Sequence, residues 1–153
     1  MNRFQAHTHS DATLAADTAA VWAVLTDPDL LVRMTPNLTR IDTDGDRWTW
    51  HLTRIPVLST AIQPSFTERM EFEEGRRIGF THDGDEERER TGAEGEYLLT
   101  AEGDRTRVAI DITIWVDLPL PRVSRPAVQS TMHAFLAATG RVFSRNMRRH
   151  LRG

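Results

Sequence analysis

One acid sits among the apolar positions of a strand. In SFTERMEFE, residues 65–73, side chains alternate across the strand, which puts Glu68 beside Phe66 and Met70. A carboxyl removed from water there has a raised pKa and can act as acid or base, or anchor a ligand hydroxyl or amine. The structural alternative is an acid near a strand end or bulge that reaches solvent or pairs with an arginine. Alternation turns Arg69 the other way, with Thr67 and Glu71. Tyr97 offers a hydroxyl if it faces inward with Leu99; the competing parity, Glu96 with Leu98, stays open. Trp48 and Trp50 share one face of their strand, where large aromatics suit a flat ligand or fill a core.

Other chemistries find less support. His7, His9 and Asp11 share a strand face and are of zinc-ligating types, but they lie opposite Phe4 and Ala6, so solvated histidines are the expectation and no metal is assigned. His51, His82, His133 and His150 are scattered. There is no HExxH, GxSxG, phosphate-cradling glycine loop or Rossmann fingerprint, so hydrolase, kinase and dehydrogenase readings lack a basis and no cofactor is expected. With no cysteine, thiolate chemistry and disulfides are excluded. All 19 basic residues are arginine, which excludes a lysine Schiff base or phosphate-loop lysine.

The 153 residues suit one domain, 1–153, with a single core. A net charge of -3 argues against a nucleic-acid partner. No apolar run is long enough for stable membrane insertion, and MNRFQAHTHSD lacks a signal peptide's apolar stretch, which points to the cytoplasm.

These residues need elements to hold them. Residues 3–14 read as a strand ending at Leu14. Asp17 then caps a short helix, TAAVWAVL, and Asp27-Pro28 opens a second, DPDLLVRM, stopped before Pro36. LTRIDTD and DRWTWHLTRI flank a hairpin turn at Asp44-Gly45. PVLSTAIQP, bracketed by Pro56 and Pro64, reads as a loop. SFTERMEFE and RRIGFTH follow as strands, the latter with Ile78 and Phe80 together. The charged run DGDEERERTGAEGE reads as a solvated hairpin or loop without chemistry. EYLLTA and RVAIDITIWVD complete the strands, and Val108, Ile110, Ile112, Ile114 and Val116 form an unbroken apolar face. Residues 123–152 carry one long helical period through Val128, Met132, Phe135, Leu136, Thr139, Phe143 and Met147. Its other face bears Gln129, Arg141, Arg145, Arg148 and Arg152, read as solvated cations favoured near a helix C-terminus. The order predicts an α+β fold: an antiparallel meander, apolar on one side and covered by that helix.

TLAADTAAVWAVLTDPDLLVRMTPNLTRID resembles the opening of the helix-grip proteins, the START-related superfamily with its coenzyme Q-binding and polyketide cyclase/dehydrase branches. Leu14, Asp17, Val21-Trp22, Leu25, Asp27-Pro28 and Pro36 carry the likeness. GRRIGF, EGDRTRVAIDITI and the final amphipathic helix extend it over residues 4–151. The resemblance implies a curved antiparallel sheet of six to seven strands gripping the helix, with an apolar cavity between them. Aromatase/cyclases of this fold keep an arginine inside the cavity on a comparable strand; Arg69 matches it only if a bulge after Pro64 flips the parity.

The leading expectation is a protein that binds a small hydrophobic molecule: a lipid, quinone, polyketide or similar. Sheet contacts are expected from Trp48, Trp50, Phe66, Met70, Phe80, Ile110 and Ile112, and helix contacts from Met132, Phe135, Leu136 and Thr139. The alternative is a polyketide cyclase/dehydrase-type enzyme using Glu68 with Tyr97 or Arg69. A protein-interaction module without a ligand is the third reading.

Overall fold

The computed structural model describes residues 1–152. The first strand, β1 (Asn2–Leu14), is followed by helices α1 (Thr18–Leu25) and α2 (Pro28–Met34). The local chemistry sets both starts. The Asp17 carboxylate accepts from the Ala20 N–H at 2.9 Å, and Asp27 accepts from the N–H groups of Asp29 and Leu30 with Pro28 in the first turn. Next come β2 (Leu38–Asp44), β3 (Arg47–Leu52), β4 (Ile55–Val57), β5 (Thr60–Ile62), β6 (Ser65–Glu73) and β7 (Arg77–His82). Helix α3 (Glu86–Glu89) precedes the long strands β8 (Thr91–Glu102) and β9 (Arg105–Leu118). A 3-10 turn, Arg122–Ser124, leads into α4 (Arg125–Leu151), so the helix starts two residues later than its periodicity suggests, with Pro126 in its first turn. No helix among the described residues is long and apolar enough to cross a membrane.

Seven strands form one antiparallel sheet in the order β1-β9-β8-β7-β6-β3-β2. The sheet is a meander except at β1, which returns to pair with β9 along its whole length, from Asn2 opposite Leu118 to Leu14 opposite Thr106. Its concave face holds the core. Leu14, Val21, Leu25, Trp48, Met70 and Ile78 belong to the larger apolar cluster; Phe4, Val57, Val116, Leu118, Val128 and Met132 form the smaller one. Helix α4 runs along β1 and is tied to it at both ends. Gln129 Nε2 donates to the Gln5 carbonyl at 2.9 Å, and Arg148 donates to the Thr13 carbonyl at 3.1 Å. Asn146 donates to the Met34 carbonyl, which fixes the helix to α2 as well.

Two segments differ from expectation. PVLSTAIQP is not a loop: β4 and β5 pair as a separate hairpin, and Val57 and Ile62 pack into the smaller cluster. Flanking prolines bar a central strand but not a two-stranded edge piece rich in β-branched residues. The charged run is not wholly solvated either. Asp85 caps α3, and Glu89 turns back under the sheet, accepting from the Thr67 N–H and hydroxyl (2.9 Å each) and meeting His82 Nε2 at 2.7 Å. One acid of the run thus satisfies an N–H of β6 that lacks a strand partner, a role that a count of charges does not reveal.

Gly95, on β8, pairs with Phe80 of β7 and Ile112 of β9. A Cβ there would overlap the Asp111 carbonyl and lie 3.0 Å from the Ile112 Cα, both backbone and unable to yield cheaply. Gly95→Ala should therefore cost roughly 1–3 kcal/mol in urea unfolding. A change inside experimental error would mean that this close approach does not hold the sheet.

Candidate functional site

Between the sheet and the helices lie two neighbouring spaces. The deeper is a chamber of about 110 Å³ lined by Trp50, Phe66, Glu68, Met70, Phe80 and Tyr97 from the sheet, with Ile78, Ala93 and Ile112, and by Leu25 and Leu31 from the short helices. The outer is a cleft of about 950 Å³ between α4 and the strands β1, β8 and β9. Leu25 and Tyr97 line both, so they form the boundary, or neck, between cleft and chamber. Leu14, Val108 and Ile110 floor the cleft, and Leu136, Phe143 and Met147 of α4 wall it.

The unbroken pairing of β6 with β3 and β7 decides the parity at the deep end. Glu68 faces in and is 3% exposed. Arg69 faces out: its side chain is 48% exposed and bonded to Asp46 and Asp83 on the other side of the sheet. No bulge follows Pro64 that would turn it inward, so Arg69 does not reach the cavity, and the likeness to an interior arginine fails at this position. On β8 the inward set is Ala93, Tyr97 and Leu99; Leu98 is exposed and Glu96 pairs with Arg77 on the outer face.

Three residues that line this apolar chamber carry polar groups: Trp50, Glu68 and Tyr97. Trp50 Nε1 is buried with no acceptor. Burial alone pushes the Glu68 carboxyl well above the ordinary carboxylate range, with no hydrogen bond or cation opposing it. Burial first, and the nearby Glu68 charge second, push the Tyr97 hydroxyl up to about 12. A buried unsatisfied polar group costs about 1–3 kcal/mol, and the Trp50 N–H is one. With Glu68 neutral, the set offers an indole N–H, a phenol O–H and a carboxylic O–H as donors, with carboxyl and phenol oxygens as acceptors. That suits a ligand hydroxyl or carbonyl. Around them Trp50 stacks on Phe66 at 8° between ring planes, and Phe80 lies 5.8 Å from the Tyr97 ring, giving flat apolar walls.

Of the other expected contacts, Ile110 and Leu136 reach the cleft. Trp48 does not reach the chamber: it is core, against Phe72 and Trp50. Met132 is buried in the smaller cluster, and Phe135 and Thr139 line neither space, because the part of α4 above the cavity presents its 136–140–143–147 stripe instead. Leu25, Leu31 and Ala93 were not foreseen. Leu25 was legible as an apolar position of α1, whereas Ala93 was hidden inside the charged run. On the outer face His7 and His9 both turn to Asp111 of β9, at 2.9 and 3.5 Å, while Asp11 takes Arg107. A change in stability with pH should report the buried acid. Because the folded pKa of Glu68 is raised, the native state holds its proton above pH 4.5 while the unfolded chain releases it, and stability falls as pH rises. Glu68→Gln removes that dependence. It should match the parent below pH 4.5 and gain on it above, by up to about 1.4 kcal/mol per pH unit, in urea unfolding at several pH values. A gap that does not change with pH would place the carboxyl in water.

Comparison with known proteins agrees with this architecture. Residues 5–152 match the family described as polyketide cyclase/dehydrase and lipid transport. No curated relative matches the chain. Among solved structures, a conserved protein from Geobacillus kaustophilus superposes with a TM-score of 0.72 at 14% identity, covering 95% of this chain and 94% of that one. A START superfamily protein from Mycobacterium smegmatis gives 0.67 at 13%, covering 95% and 97%. The Zhui aromatase/cyclase from Streptomyces sp. R1128 gives 0.63 at 17%, covering 95% of each. At such identities the structural likeness speaks for the fold, a seven-stranded helix-grip fold with two short helices after the first strand. With the match spanning nearly the whole sequence, the chain belongs to the polyketide cyclase/dehydrase and lipid transport family.

Proposed function

We propose that this protein binds a small, mainly apolar molecule carrying a hydroxyl or carbonyl group, with the polar end in the chamber and the apolar body in the cleft. The observation that carries this reading is the set of unpartnered groups on Trp50, Glu68 and Tyr97 within apolar walls. A ligand oxygen would satisfy groups that the fold leaves unsatisfied, and in a medium without water such bonds are strong. The volumes favour a ligand that spans the neck. A chamber of about 110 Å³ is too small for a drug-sized molecule, whereas clefts that enclose one run from about 300 to 1,000 Å³.

A second reading, a cyclase/dehydrase, is favoured by one observation: the buried Glu68 carboxyl, its pKa pushed up by burial, lines the same chamber as a second donor, Tyr97. In that reading Glu68 gives its proton to a ketone oxygen as the α-carbon of the same substrate attacks the carbonyl carbon. The resulting carboxylate takes the proton that the attacking α-carbon gives up. Glu68 then gives a proton to the new hydroxyl, which departs as water as the second α-proton passes to the carboxylate. One C–C bond forms and one water is lost. The cavity would contribute mostly by holding the chain in one register.

Native mass spectrometry of the protein purified from its own host is the first test. A co-purifying mass is expected, and the ligand extracted from it should bear an oxygen function on an apolar skeleton. Tyr97→Phe and Glu68→Gln should each weaken binding of that ligand, by about 1–3 kcal/mol where a hydrogen bond is lost. An analogue without the oxygen should be unaffected. If Leu25→Trp, which fills the neck, leaves binding of the parent ligand unchanged, the cavity is not the site.

A further inference from the structure

Five arginines at the C-terminal end of α4 and its cap border the cleft, and one of them, Arg148, is tied to β1 through the Thr13 carbonyl. Arg141, Arg145, Arg148, Arg149 and Arg152 all line it. Arg148 bonds only a backbone carbonyl, and none of the five forms an ion pair among the described residues. Every acid in the chain lies at or before Asp117, so the last 36 residues hold seven arginines and no side-chain carboxylate. The single acid of the cleft lining, Asp11, is already taken by Arg107 at 2.7 Å.

The helix dipole accounts for part of this, since cations near a C-terminus are favoured. That effect fades within the last turn, however, and Arg141 and Arg145 lie well before the end at Leu151. Like charges spaced four apart, as at Arg141, Arg145 and Arg149, repel one another on a helix. A row of such charges along the rim of an apolar cleft, with no carboxylate to offset them, is what a bound anion would neutralise. Guanidinium groups are well shaped for an anion, because their planar forks match a carboxylate or phosphate with paired hydrogen bonds.

From this geometry we infer that the ligand is an amphiphile with an anionic head, a carboxylate or a phosphate monoester, held at the cleft mouth by Arg141, Arg145 and Arg149. Its apolar body lies on Leu14, Val108 and Ile110, and its far end points through the Leu25–Tyr97 neck. The inference rests on the cavity reading above and adds the charge and orientation of the occupant.

Calorimetric titration of the full chain with decanol, decanoate and decyl phosphate separates the two. Decanoate or decyl phosphate should bind about tenfold or more tightly than decanol, the scale of one charge-assisted hydrogen bond. The stronger of the two anions identifies the head group. The triple variant Arg141→Gln, Arg145→Gln, Arg149→Gln should erase that preference while leaving decanol affinity unchanged. Its substitutions fall on exposed positions, and an unchanged melting temperature checks the fold. Equal binding of all three probes, or a preference that survives in the triple variant, overturns the anionic head and leaves the cavity reading standing. No binding of any probe overturns both. Arginine-dependent sedimentation with anionic phospholipid vesicles, without preference among the soluble probes, assigns the charges to a membrane surface and overturns the inference.

Discussion

The structure depends on one commensurability, that of α4 with the edge strand β1. The two are tied at Gln129–Gln5 and at Arg148–Thr13. At about 1.5 Å per residue, the helix between these ties rises about 28 Å. At about 3.4 Å per residue, the strand between them spans about 27 Å. The elements therefore run side by side and meet at both ends. Between the ties side chains do not fill the space: Gly140 has no heavy atom near its open side, and Thr8, Ser10 and Ala12 turn toward the cleft. The cavity is what remains when helix and strand are fixed at their ends and left apart in the middle.

That arrangement has a cost at the deep end. A carboxyl, a phenol and an indole N–H stand in an apolar chamber with no protein partner, although larger apolar side chains would have filled it more favourably. Elsewhere the chain satisfies its interior polar groups with care. The Thr106 hydroxyl, fully buried, donates to the Ala16 carbonyl, and Glu89 covers the free N–H and hydroxyl of Thr67. Where one region breaks a rule that the rest of the molecule keeps, function is the usual reason.

Much of the fold was legible in the sequence because it rests on local rules. The Asp17 and Asp27 caps, the Asp44-Gly45 turn and the alternation through Val108–Val116 are each decided within a few residues. Glu68 was legible for the same reason, as alternation in an unbulged strand. The helix's contribution was not. An apolar stripe shows which side of α4 is buried but not which part of it meets core and which meets empty space, so Met132 was placed over the cavity and proved to be packing. Arg141, Arg145, Arg149 and Arg152 are exposed as read, but Arg148 reaches the Thr13 carbonyl of β1, 135 positions away in the chain. Glu89 was hidden for another reason: its partners Thr67 and His82 are only 22 and 7 positions away, but only the folded sheet places them beside it.

The protonation state of Glu68 in the free protein joins these points, since it reports both the dryness of the chamber and the lack of a protein partner. Carbon-13 NMR of the glutamate side-chain carboxyls, with Glu68→Gln to identify its resonance, reads that state directly. The neutral form should persist well above pH 4.5, and the resonance should shift when a ligand fills the chamber. Titration near the ordinary value of 4.5, unmoved by ligand, would mean that Glu68 is solvated and that the chamber is not a binding site.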